Sequence, residues 1–306
     1  MIRLEKAHLP IHAGTHEGMS GKNNEDSFGV TSYQLSEDQK TPVLLAVLSD
    51  GIGGHQAGEV ASGIAVDTIS QVVSESDLSQ PTETLRSAVV LANERIYNQA
   101  QENLENKGMG ATVCVALVIQ NKLYTATIGD SRIYLMRQGG IRKLSIDHTW
   151  IQEALDSGLL RPDQVEGHPN AHVIRRYLGA PTKPDVDFRM ILTGKETTPE
   201  AESNQGTPLL PGDRLLLCSD GLTDLVKDSE ILEVVQNNSL ENAVETLITM
   251  ANDRGGHDNT TIIIFNVPQD YAAPGAISST RLRRWGLSCL GLAILAGIAA
   301  AAVWGW

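Results

Sequence analysis

Four aspartates stand at the ends of apolar runs, and that placement constrains the fold more than any other feature of the sequence. Asp50-Gly51 follows the run 43–49, Asp130 follows 123–128, Asp220-Gly221 follows 214–218, and Asp258-Asn259 precedes 260–265. Glu25-Asp26 adds a pair just before Ser27-Phe28. Val-, Ile- and Leu-rich runs bounded by Gly, Asp or Asn read as β-strands. Asp-Gly is a turn dipeptide, so any one of these aspartates alone reads as a turn. Together they put several carboxylates at strand ends, each projecting from the edge of a sheet. Carboxylates are not buried without partners, so neighbouring ones need cations between them. A donor set of oxygens, without Cys or His at ligand spacing, suits Mg²⁺ or Mn²⁺ rather than zinc. The glycines of Asp50-Gly51-Ile52-Gly53-Gly54 allow close backbone approach, so Gly51 could offer its carbonyl to an ion. The segment lacks the order and the lysine of a nucleotide-binding loop.

The body of the chain reads as α+β. Strands are expected at 43–49, 111–119, 122–128, 132–137, 214–218 and 260–267. Short connections between consecutive strands favour antiparallel pairing, because a parallel crossover needs about a dozen residues or more. Val60, Ile64, Thr68, Ile69, Val72 and Val73 form one helical stripe; Leu85, Ala88, Val89, Ala92 and Ile96 form a second, with Pro81 at an early helical position. Two later helices fit 230–235 and 240–251. The expected architecture is two packed antiparallel sheets with helices outside. The polar stretch 193–206 reads as a surface loop or insertion. Residues 148–184, rich in Gly and Pro around a short helix at 149–156, read as a semi-independent flap.

Charge and tail narrow the function. Lys plus Arg number 24 against 37 Asp plus Glu, a net charge of −13. That argues against nucleic-acid binding, which needs basic surface. Cys114, Cys218 and Cys289 form no zinc spacing and no even set, which favours a reducing compartment. Residues 2–17 lack the apolar run of a secretory signal. Residues 286–306 carry no charge, follow Arg281, Arg283 and Arg284, and have Trp285, Trp304 and Trp306 near their ends. These are the marks of a single membrane span with its basic flank in the cytoplasm. The expected division is a catalytic domain at 1–267, a linker with the basic cluster at 268–284, and a transmembrane helix at 285–306.

Taken together, the motifs resemble the bacterial metal-dependent protein phosphatases of type 2C. The resemblance rests on Asn24-Glu25-Asp26-Ser27, Ser49-Asp50-Gly51-Ile52-Gly53-Gly54-His55, Gly58-Glu59-Val60-Ala61-Ser62 and Gly110-Ala111-Thr112. It continues through Gly129-Asp130-Ser131-Arg132, Asp147-His148-Thr149, Gly212-Asp213-Arg214, Ser219-Asp220-Gly221 and Asp258-Asn259-Thr260-Thr261. These occur in the family's order across residues 10–267. The resemblance implies hydrolysis of phosphoserine and phosphothreonine in proteins by water activated at a binuclear Mn²⁺ or Mg²⁺ centre. It implies that Asp50 bridges the two cations, that the Gly51 carbonyl and Glu25 bind one, and that Asp220 and Asp258 hold the other. Asp26 would orient the attacking water. Asp130 with Asp220 matches a third, weaker site. The implied substrates are phosphorylated proteins, products of a serine/threonine kinase, met at the cytoplasmic face of a bacterial inner membrane.

Two departures bear on the substrate phosphate. Where many members place a phosphate-clasping arginine, this chain has Gly21, with Lys22 beside it as a point charge lacking the guanidinium fork. Where animal members have a histidine after Asp-Gly, this chain has Ile52, and His55 comes three residues later. Lys22 and His55 are therefore the candidates for phosphate contact. Alternatives are a phosphoprotein-binding module without turnover and a dedicated regulator in a partner-switching pathway. Arg132 reads as structural, paired with local carboxylates. His8, His12, His16, His168, His172 and His257 have no ligand spacing and read as surface or loop histidines.

Overall fold

The computed structural model of the protein describes residues 1–53, 56–165 and 167–271. The strands are β1 (Ile2–Leu4), β2 (Ile11–His16), β3 (Ser27–Gln34), β4 (Pro42–Ser49), β5 (Gly51–Ile52), β6 (Gly110–Ala111), β7 (Val113–Ile119), β8 (Lys122–Ile128), β9 (Arg132–Arg137), β10 (Gly140–Lys143), β11 (Thr207–Pro208), β12 (Arg214–Cys218) and β13 (Thr260–Asn266). The helices are α1 (Gln56–Glu75), α2 (Pro81–Glu102), α3 (Trp150–Asp156), α4 (Thr198–Ser203), α5 (Asp220–Thr223), α6 (Asp228–Asn237) and α7 (Leu240–Asp253). One sheet runs β1-β3-β4-β7-β8-β11, the other β10-β9-β12-β13-β2, and β5 pairs with β6 separately. Every pairing is antiparallel, both between strands joined by short connections, such as β7 with β8, and between strands far apart in sequence, such as β2 with β13.

Side-chain alternation sets the layers. Along β4, Val43, Leu45 and Val47 pack with the apolar stripes of α1 and α2, while Leu44, Ala46 and Leu48 face the space between the sheets. Along β12, Leu215 and Leu217 meet that same inner space, and Leu216 and Cys218 turn outward to α6 and α7. Strands buried on both faces read as continuous apolar runs, which is why the sequence marks them. Cys114 and Cys218 are fully buried free thiols, and burial pushes both above the ordinary thiol range.

The structure departs from the sequence-based expectations in several places. The expected strand 111–119 is broken at Thr112. There the amide donates to the Asp50 carbonyl and the carbonyl accepts from Ser49 Oγ, so the ladder stops and β6 turns away to β5. The expected loop 193–206 contains α4, because Thr197 and Glu200 form a capping box and Ala201 is buried. β2 and β3 were not expected, since IHAGTH and SFGVTSYQ lack a strong apolar run. The compact unit spans Met1–Tyr271 and takes in the start of the expected linker, where Tyr271 Oη donates to the Gln120 carbonyl at 3.0 Å. Among the described residues no helix is long and apolar enough to cross a membrane. The expected span at 285–306 lies outside them, as does most of the linker.

Candidate active site

Loops from both sheets converge where the sequence put its carboxylates. Asp50 leaves β4, and its amide donates to Thr112 Oγ1 at 3.0 Å. The Thr112 hydroxyl also pairs with Ser131 Oγ at 2.7 Å, next to Asp130. Asp220 opens α5 directly after β12, and Asp258 precedes β13. Glu25 and Asp26 come from the loop before β3. Asn259 fastens that loop from the other sheet: its Oδ1 accepts from the Glu25 amide at 2.7 Å, and its Nδ2 donates to the carbonyls of Glu17 and Asn23 at 3.0 and 3.2 Å.

Glycines make the room. A Cβ at Gly51 would overlap the Gly58 carbonyl, and one at Gly58 would overlap Glu25 Oε2. The Ser62 hydroxyl donates to the Glu25 carbonyl at 2.6 Å, pinning the same loop to α1. Gly21 has φ of +73°, with open space around the position of a Cβ. Glycine takes that left-handed conformation without the penalty an arginine would meet.

Electrostatics marks the cluster as a cation site. Burial pushes Asp50 well above the carboxylate range, and Asp26, Asp220, Asp130 and Asp258 push in the same direction. Asp220 is raised likewise by burial, then by Asp130, Asp224, Asp258 and Asp26. Asp26 is pushed up to about 6 by burial, helped by Asp258 and Glu25 and opposed by hydrogen bonds from Thr261 and Ser219. Asp130 is pushed up to about 6 by burial and by Asp147. Among the described residues no lysine or arginine forms an ion pair with Asp26, Asp50, Asp130, Asp220 or Asp258. Asp26 Oδ1, Asp130 Oδ1 and Asp220 Oδ1 are buried without a hydrogen-bond partner. An unpaired buried carboxylate oxygen is costly; divalent cations with oxygen preference would satisfy those of Asp130 and Asp220, and a water held by such a cation that of Asp26. The residues present fit Mn²⁺ or Mg²⁺.

All of the predicted site residues but His55 can be placed. Glu25, Asp26, Asp50, Gly51, Asp130, Asp220 and Asp258 lie at this end of the sandwich. Lys22 is exposed on the loop leading to Glu25. His55 lies outside the described residues. Arg132 is structural as expected: its guanidinium forks onto Asp147 with contacts of 2.8 and 3.0 Å, and Lys143 Nζ joins Asp147 at 3.0 Å.

Other contributors escaped the sequence reading. Asp224, four residues after Asp220, has its carboxyl raised by burial. The i, i+4 spacing of the two aspartates was the available signal. His172 is the exposed loop histidine the sequence suggests, and it lies beside the cluster. Its Nδ1 lies 3.2 Å from Asp224 Oδ2, and ligand atoms of His172, Asp220 and Asp224 lie within 4.8 Å of one another. Ser219 Oγ donates to Asp26 Oδ2 at 2.8 Å. Asn259 and Thr112 supply the hydrogen bonds that hold the loops.

The sequence model of the protein phosphatase 2C family matches residues 14–154. The serine/threonine phosphatase stp of Listeria monocytogenes is 32% identical over 270 residues, covering 87% of this chain and 98% of that protein. Among solved structures, the serine/threonine phosphatase Stp1 of Staphylococcus aureus superposes with a TM-score of 0.72 at 30% identity, covering 85% of this chain and 96% of that one. The catalytic domain of the phosphatase PstP, solved with two manganese ions, superposes with a TM-score of 0.67 at 32% identity, covering 85% and 98%.

Proposed function

The chain belongs to the protein phosphatase 2C family, and from that membership and its carboxylate cluster we infer that it hydrolyses phosphoserine and phosphothreonine in proteins with Mn²⁺ or Mg²⁺. The observation that carries this is the set of buried, unpartnered oxygens on Asp26, Asp130 and Asp220 beside Asp50. Asp50, the Gly51 carbonyl and Glu25 would hold one cation, Asp50 with Asp220 and Asp258 the second, and Asp130 with Asp220 a third. Cations bound there supply a water of lowered pKa and offset the charge of the phosphate ester.

The chain's own groups do the rest. Ser219 holds Asp26 Oδ2, which leaves Oδ1 to accept a hydrogen bond from the attacking water and aim it at phosphorus. The flap borders the site, and His172 brings it alongside Asp220 and Asp224. Lys22 is the cation we assign to the substrate phosphate, with His55 as its companion. The expected substrates are the products of a serine/threonine kinase.

The sequence also supports a tether. The uncharged stretch 286–306 behind Arg281, Arg283 and Arg284 fits a single span of the inner membrane with the catalytic domain, 1–267, in the cytoplasm and 268–284 as linker.

Phosphate release from a phosphothreonine peptide by residues 1–271 tests the activity. Release should require Mn²⁺, stop with excess chelator, and fall by at least a hundredfold in Asp220→Ala, the order of loss seen when one stabilising group is removed from a reacting centre. A folded, Mn²⁺-loaded protein that turns over no phosphopeptide would instead support a phosphoprotein-binding role.

A further inference from the structure

His148 lies at the root of the flap, 4% exposed, and its side-chain hydrogen bonds go to Gly129 and Asp187 rather than to the clustered carboxylates. Its ring is committed on both sides. The Gly129 amide donates to Nδ1 at 3.0 Å. Nδ1 is therefore the acceptor and the ring proton sits on Nε2, which donates to Asp187 Oδ2 at 3.0 Å. The backbone is committed as well. The His148 amide donates to the Gly129 carbonyl at 2.9 Å, and the His148 carbonyl accepts from the flap amide of Arg175 at 2.7 Å.

One residue thus takes up both polar backbone groups of Gly129, and Gly129 immediately precedes Asp130. Gly129 has φ of +102°, and a Cβ there would stand 2.6 Å from Thr112, so the turn has one conformation and little room to relax. The far side of the imidazole is anchored equally well. Asp187 exchanges backbone hydrogen bonds with Thr127 at 3.0 and 3.1 Å, and the Arg189 guanidinium closes on its carboxylate.

We propose that His148 is a positioning residue that aims Asp130 at its cation and carries the flap's root on the same imidazole-backbone clamp. The proposal rests on the reading of Asp130 as a cation ligand. It separates two bonds of one ring. Asparagine presents Oδ1 near the place of Nδ1 and keeps the acceptor for Gly129; glutamine presents its amide near the place of Nε2 and keeps the donor for Asp187.

The experiment is Mn²⁺ binding followed by electron paramagnetic resonance, without substrate, on wild type, His148→Asn, His148→Gln and Asp130→Asn. His148→Gln should weaken the weakest class of Mn²⁺ sites ten- to a hundredfold, the effect of removing a partner behind a ligand. His148→Asn should stay within a few-fold of wild type, and adding His148→Gln to Asp130→Asn should cost nothing more. Equal losses in both His148 variants, or unchanged Mn²⁺ binding in folded His148→Gln, would overturn the proposal. If neither variant folds, ¹⁵N-histidine NMR of wild type decides it. The Nδ1 resonance of His148 should move in step with the weakest Mg²⁺ binding and stay still in Asp130→Asn; no movement at saturation overturns it. Phosphopeptide hydrolysis by wild type is measured in parallel. Its absence would sink the phosphatase reading, while the binding data still decide about His148.

Discussion

Gly58 is a residue defined by what it lacks. It sits in the first turn of α1, where alanine ordinarily gains about 1 kcal/mol of helix propensity. Here the added methyl would overlap Glu25 Oε2 and push that carboxylate out of place. Gly58→Ala should therefore melt no lower than wild type yet bind Mn²⁺ on the order of tenfold more weakly, as calorimetric titration against thermal unfolding would show. A variant that keeps wild-type affinity would mean that Glu25 swings clear. Most acids of the site were legible in the sequence, because a carboxylate at a strand end, next to others, demands a cation; Asp224, at the C-cap of α5, was not. Their supports were not. Asn259 reaches Glu25, Glu17 and Asn23 across more than two hundred residues of chain, and the Thr112 hydroxyl reaches the Asp50 amide across 62. Amides and hydroxyls become specific only once folding chooses their neighbours. His172 hid for the same reason: it meets Asp224 only after the flap has folded back.

At the scale of elements, Asp187 fastens the segment after the flap to β8 and to His148. Burial pushes its carboxyl up, but hydrogen bonds from His148 and Arg189 outweigh burial and hold it below the usual range. A carboxyl depressed in the fold adds stability above its unfolded pKa of about 3.9 and loses it as pH falls toward the folded value. Asp187→Asn should therefore be less stable than wild type at pH 7 by about 2 kcal/mol. The gap should narrow as the pH drops below about 4, read as urea midpoints across a pH series. A gap that stays constant into acid would show that Asp187 contributes packing rather than charge. Legibility followed burial here. β4, β7, β8, β9, β12 and β13 are apolar on both faces and announced themselves. β2 and β3 are largely half-buried, and they are strands because β13 and β4 offer them a ladder. α4 was masked by a polar composition that in fact spells its cap.

At the scale of the whole molecule, the acidic catalytic body and the uncharged tail make separate predictions. Removing 285–306 should leave the rate of phosphopeptide hydrolysis unchanged and shift the protein from the membrane pellet to the soluble fraction. A truncated chain that still sediments with membranes would place the attachment elsewhere. The fold class was readable because antiparallel strands and two amphipathic helix pairs close a four-layer sandwich in few ways.

The pairing of β2 with β13 sets Thr15 beside Thr261 and His16 beside Thr260, joining one of the first strands made to the last. On a ribosome, which releases the chain from its beginning, β2 must wait for almost the whole domain to emerge. Asp258 and Asn259 arrive with that last strand, so the loop carrying Glu25 has no anchor until then. A nascent chain can collapse its first sheet early, but it remains without its full set of carboxylates until β13 has emerged.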